Sequence, residues 1–213
     1  MTNLKINLNL ASYINVSAWA LVFLPILQLA YGFYQVQFAG DIFYYGPEPA
    51  KAVVHTLGLW AMGFLWLVLS VRHLKRWLKL NLQPVRRRLG LAMFLYAMLH
   101  LLAYTALILG FELSELITDL EKRPYILIGA LAILLLLPLS ITSTRGWQRR
   151  LKRQWKTLHL LVYPVSVLVL IHIWWQVRAG FLLAAAMTVL LCVIFILRFL
   201  PNRLAQVKTS SNL

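Results

Sequence analysis

The chain has 213 residues, 61% of them hydrophobic and 13% charged, with a mean hydropathy of +0.74. Soluble domains run nearer half apolar and a quarter charged, so the composition excludes a soluble enzyme and predicts an all-α integral membrane protein. The single Cys192 excludes a disulfide framework and a cysteine-ligated iron–sulfur cluster, while the net charge of +15 raises nucleic acid as a partner until its distribution is examined.

Uncharged windows delimit six spans, at about 12–34, 52–71, 89–111, 124–144, 157–177 and 179–197. Each falls in the ~17–25-residue range that carries a helix across a bilayer core. Together they form one transmembrane domain over 1–213 and leave no room for a soluble catalytic domain. The first apolar run is longer than a signal-peptide core and no A-x-A-like site follows it, so no cleavable leader is predicted. Pro25, Pro138 and Pro164 lie inside spans one, four and five and are the candidate kink points.

The loops set the orientation. RHLKRWLKLNLQPVRRR, between spans two and three, carries seven basic residues and no acid. RGWQRRLKRQWK, between spans four and five, carries six and none, and Arg198, Arg203 and Lys208 follow the last span. All six acids (Asp41, Glu48, Glu112, Glu115, Asp119, Glu121) fall on the opposite side. Counting Lys and Arg alone, the positive-inside rule places both termini and both basic loops in the cytoplasm. The net charge is thereby accounted for by topology and anionic headgroups, with no nucleic acid needed. Trp and Tyr near the span ends, including Tyr44, Tyr45, Trp77, Trp147, Trp155, Trp174 and Trp175, match an interfacial belt. The stretch FELSELITDLEKRP reads as a solvated acidic outer loop, with a surface complementary to a periplasmic partner as the alternative.

Ionisable side chains inside a span are costly to bury and mark function by default. His100 lies 12 residues from Arg88 and 12 from Glu112, near the midplane of span three. His172, on span five, lies 6 residues before Arg178, ~9 Å below the outer end. Their depths agree within ~6 Å, so two imidazoles on facing helices can clamp a heme iron from both sides. His159, 3 residues inside Lys156, suits a second, inner centre, for which His73 is the only other imidazole at that level. On an ideal helix His159 and His172 point ~140° apart, a phase that a kink at Pro164 resets. His55 starts span two at the outer face, either as an interfacial residue or as a ligand, proton or quinone contact. Arg86, Arg87 and Arg88 open span three, as an inside anchor or as a docking point for a flavin phosphate or acidic donor.

RRRLGLAMFLYAMLHLLAY (86–104), EKRPYILIGALAILLLLPLSITST (121–144) and WKTLHLLVYP followed by IHIWW (155–175) together resemble the ferric reductase-like transmembrane family. Within it, they are similar to the heme-binding membrane subunits of periplasmic methionine sulfoxide reductase systems, in register from about 47 to 176. The resemblance implies a multi-pass b-type cytochrome of the bacterial inner membrane. It implies one or two b hemes with His100, His172 and His159 as iron ligands, and FMN at an inner site with Arg86 and Arg87 at its phosphate. It also implies electron relay from the quinone pool or a cytosolic flavin reductase to a periplasmic molybdopterin-containing partner. Oxidases and reductases of the wider family carry two His on the third helix and a fused FAD/NADPH domain. This sequence has one His there, which leaves the axial partner of an inner heme open, and shows no such domain, so it is expected to depend on a separate donor. The alternatives are a heme-containing ferric or metal-ion reductase and, from another class, a small proton-coupled transporter; the latter needs pore-facing charges, and the spans hold no Asp, Glu, Lys or Arg.

Overall fold

The computed structural model describes residues 2–78, 82–177 and 181–199. Lys79, Arg178, Arg203 and Lys208 lie outside the described residues, as do the side chains of Lys5, Lys75, Arg76 and Trp77. The helices are α1 (Thr2–Gln37), α2 (Pro49–Leu78), α3 (Gln83–Ala103), α4 (Leu113–Lys122), α5 (Pro124–Ile141), α6 (Arg145–Leu158), α7 (Val162–Gln176) and α8 (Leu182–Phe199). A π turn, Tyr104–Ile108, extends α3, and a 3₁₀ turn, His159–Leu161, joins α6 to α7. No strand occurs among the described residues.

Among the described residues, five stretches are long and apolar enough to cross a membrane: Val16–Gln37, Pro49–Leu74, Gln83–Ile108, Pro124–Ile141 and Arg145–Gln176. Leu182–Arg198 is apolar but shorter. At ~1.5 Å per residue it reaches ~25 Å, against a core of ~30 Å. Large apolar side chains such as Leu27, Leu134 and Val189 stand exposed on the outside of the bundle, as they do when lipid is the solvent. The chain is an all-helical, multi-pass membrane protein.

Two segments read as loops from their charge are helical: α4 replaces the acidic outer loop and α6 the second basic one. An uncharged window marks hydrocarbon, whereas helical hydrogen bonding continues into the headgroup layer when one face stays apolar. Thr144 starts α6 by accepting a bond from Trp147 N at 3.3 Å, and Trp155 Nε1 donates to the Thr142 carbonyl at 2.8 Å, fastening α6 to the end of α5. Pro49 and Pro124 sit at the first position of α2 and α5, where the missing N–H has no partner to lose.

The core forms along two helix pairs, α2 with α3 and α5 with α7. Val85, Leu89, Ala92, Met93 and Tyr96 recur at helical spacing on α3 and bury against Leu57, Phe64, Leu65 and Val68 of α2. Tyr96 and Phe64 stack at 5.4 Å, both wholly buried, and the Tyr96 hydroxyl donates to the Val22 carbonyl of α1 at 2.7 Å. Trp66 Nε1 donates to the Met187 carbonyl at 3.1 Å, tying α2 to α8. The α2–α3 and α5–α7 pairs meet through α3 and α5, and the two mid-span histidines lie at that meeting.

Candidate heme site

His100 of α3 and His172 of α7 face one another with ring centres 6.4 Å apart and planes at 90°. Each ring is held in the same way by the neighbouring helix of its own pair. His100 Nδ1 lies 2.8 Å from the Val54 carbonyl of α2, and His172 Nδ1 lies 2.6 Å from the Tyr125 carbonyl of α5. A carbonyl can only accept, so Nδ1 carries the proton in both rings and Nε2 keeps its lone pair. No hydrogen bond to either Nε2 is found among the described residues. A neutral imidazole oriented by an Nδ1–H bond to a carbonyl is the form in which histidine binds metals.

Four residues beyond each of these carbonyls stands a glycine, Gly58 on α2 and Gly129 on α5. A Cβ at Gly58 would lie 3.0 Å from His100 Nδ1 and 3.1 Å from Cε1. At Gly129 the distances to His172 are 2.9 Å and 3.0 Å. The rings therefore lie close against helix backbone, so that a Cβ at either glycine would press on an imidazole. The motif is carbonyl at i, glycine at i+4 and histidine from the adjacent helix, and it occurs once in each pair. Sequence reasoning missed Gly58 and Gly129; their signal is a glycine one turn after the carbonyl residue, in VVHTLG and PYILIG.

The spacing fits an iron held between the rings. A metal–imidazole bond of ~2 Å on each side, plus ~1 Å from nitrogen to ring centre, separates the centres by about 6 Å. Two imidazoles are too few donors for a bare ion, and no group of three or more His, Cys, Asp or Glu able to hold one occurs among the described residues. Heme needs only the two axial donors.

His159 does not join this pair. It opens the 3₁₀ turn, its ring stacks on Trp155 at 4.0 Å and its Nδ1 lies 3.1 Å from the Trp155 carbonyl. With Arg86, Arg87, Gln83, Ser140, Ser143, Gln148 and Trp155 it lines a cleft open to solvent at the basic end of the bundle. The structure thus brings His159 together with Arg86 and Arg87, while His73 is not among the residues lining that cleft. The 3₁₀ turn supplies the phase change first sought at Pro164. Each of its residues turns ~120° instead of ~100°, which cuts the ~140° between His159 and His172 to ~80°. Pro164 sits in the first turn of α7, where its ring is tolerated. His55 is exposed beside Val54 near the N-terminal end of α2.

The ferric reductase like transmembrane component model matches residues 56–170, which contain every residue of the two sites except Val54 and His172. The chain belongs to the ferric reductase-like transmembrane family. Within this family it is similar to the protein-methionine-sulfoxide reductase heme-binding subunit MsrQ of Xanthomonas oryzae pv. oryzae (strain MAFF 311018), at 43% identity over 73% of this chain and 71% of that one. It is also similar to the protein of the same name from Xanthomonas campestris pv. campestris (strain B100), at 44% identity over 63% and 62%. No solved structure matches.

Proposed function

We propose that this ferric reductase-like chain is a heme-binding membrane subunit that relays electrons to a methionine sulfoxide reductase, with no substrate site of its own. The observation that carries the reading is the facing His100–His172 pair, each ring oriented by a carbonyl and seated on a glycine. The family and the printed function of the relatives support it. Heme supplies a one-electron iron couple when bound. The chain's part is to present two Nε2 lone pairs, fix their orientation through Val54 and Tyr125, and surround them with apolar helices that exclude water.

The finer reading follows the same lines. The heme is b-type and lies between α3 and α7, in a single domain of six spans with both termini cytoplasmic, in a bacterial inner membrane. The inner cleft takes a second group: His159 would offer an iron ligand there, or Arg86 and Arg87 would bind the phosphate of FMN, with Trp155 as a stacking face. Electrons come from the quinone pool or a cytosolic flavin reductase and leave to a periplasmic molybdopterin-containing subunit. The relatives' names favour this over reduction of external ferric iron.

Heme content of purified variants tests it. His100→Ala and His172→Ala should each lose the heme held by the pair, whereas His159→Ala should keep it. Full heme in both of the first two variants would overturn the assignment.

A further inference from the structure

Of the six acids, five are exposed and one, Asp119, is buried, with 6% of its surface accessible. It stands on α4, whose other acids, Glu115 and Glu121, face water, as does Glu112 at the start of the helix. Helix α4 has thus been rolled so that one charge points inward, against the cost of burying a carboxylate. Two donors satisfy it. The Tyr104 hydroxyl donates to Oδ2, and Arg123 Nη1 lies 3.1 Å from the same oxygen. Leu113 and Leu116 of α4 rest beside Thr105, Leu109 and Phe111, the segment just past the His100 helix.

Both donors lead to the histidine pair. Tyr104 is four residues beyond His100, on the same face of α3, at the start of the π turn. Such single widened turns frequently accompany functional sites. Arg123 is two residues before Tyr125, whose carbonyl receives the His172 Nδ1–H and whose ring centre lies 6.0 Å from that of His172. One carboxylate oxygen therefore joins the two arms that carry the histidines.

We propose that Asp119 is a positioning residue that fixes α4 across the acidic end of the bundle and locks the His100 arm to the Tyr125 arm, so that both imidazoles stay on the iron and water stays out. The consequence for iron rests on the heme reading above; the fastening of α4 does not. A carboxylate suits this role because it accepts from two helices at once, and charge-assisted bonds are the stronger kind. Removing it leaves the Tyr104 hydroxyl and the Arg123 guanidinium without their shared acceptor.

The test uses the full chain in a Cys192→Ser background carrying Leu116→Cys, and compares Asp119→Ala and Tyr104→Phe with the surface control Glu115→Gln. Maleimide labelling of Cys at position 116 should quicken about ten-fold in Asp119→Ala and several-fold in Tyr104→Phe, the loss expected for a buried charge-assisted bond, and not at all in Glu115→Gln. With His100 and His172 both holding the iron, the reduced holoprotein would offer carbon monoxide no open site and its spectrum should stay unchanged; Asp119→Ala should show a carbon monoxide-reactive fraction at full heme content. Labelling and carbon monoxide response like the unsubstituted protein in both variants would overturn the proposal. If Asp119→Ala fails to fold, Tyr104→Phe, which keeps the Asp119–Arg123 pair, decides it. Quickened labelling in a chain that holds no heme would uphold the fastening and overturn the functional reading instead.

Discussion

At the residue scale, the two glycines are where function departs most from ordinary helix energetics. Exchanging glycine for alanine within a helix normally stabilises it by about 0.5–1 kcal/mol. That should hold at Gly63 of α2, where an added Cβ meets nothing within 4 Å. At Gly58 and Gly129 the sign should invert, because the methyl carbon would press on an imidazole whose position sets the metal bond. We expect Gly58→Ala and Gly129→Ala to weaken heme binding by roughly 10–100-fold, the range for disturbed partners of metal-bound histidine, and Gly63→Ala to leave it intact. Heme titration of the three apoproteins measures this. The histidines were legible in the sequence because depth along a helix follows from distance to the nearest charge, which placed His100 and His172 at one level. Their seats were not. A glycine in an apolar run looks the same whether it faces lipid or an imidazole, and only the neighbouring helix distinguishes Gly58 from Gly63.

At the element scale, α4 and α6 were hidden by the signal that exposed the spans. Charge marks where hydrocarbon ends, and both helices begin there. Helix α6 matters for function because Trp155 anchors it to α5 at Thr142 and supports His159, so the inner cleft is bounded by α3, α5 and α6 together. The sequence placed Arg86, Arg87 and Arg88 at the opening of span three and His159 near the start of span five, but the cleft that brings Arg86, Arg87 and His159 together also needs α6 and the 3₁₀ turn, which nothing in HLLVYP announces. Arg86→Gln with Arg87→Gln should remove an anion-binding pair without touching α7 or the His100 seat. Flavin released on denaturation should fall at least ten-fold in that variant, with the heme held by His100 and His172 unchanged; parallel loss of both would show that the arginines only anchor the fold.

At the scale of the whole molecule, the two pairs α2–α3 and α5–α7 build equivalent halves, each giving a carbonyl, a glycine and a histidine to a shared centre. Composition alone indicated a helical membrane protein, and the one-sided loops indicate how it sits: with 13 of its 21 basic residues in two loops on one side, the protein should place both loops and both termini in the cytoplasm. Reporter fusions after residue 208 and within 145–150 should report cytoplasmic locations, and one within 112–122 the opposite. The symmetrical cradle is the central claim, and the reduced-minus-oxidised absorption spectrum of the purified protein, with heme counted per chain, tests it most directly. A sharp low-spin b-type spectrum with at least one heme per chain, lost in His100→Ala and in His172→Ala, is the result predicted. A colourless protein made with ample heme supply would contradict it.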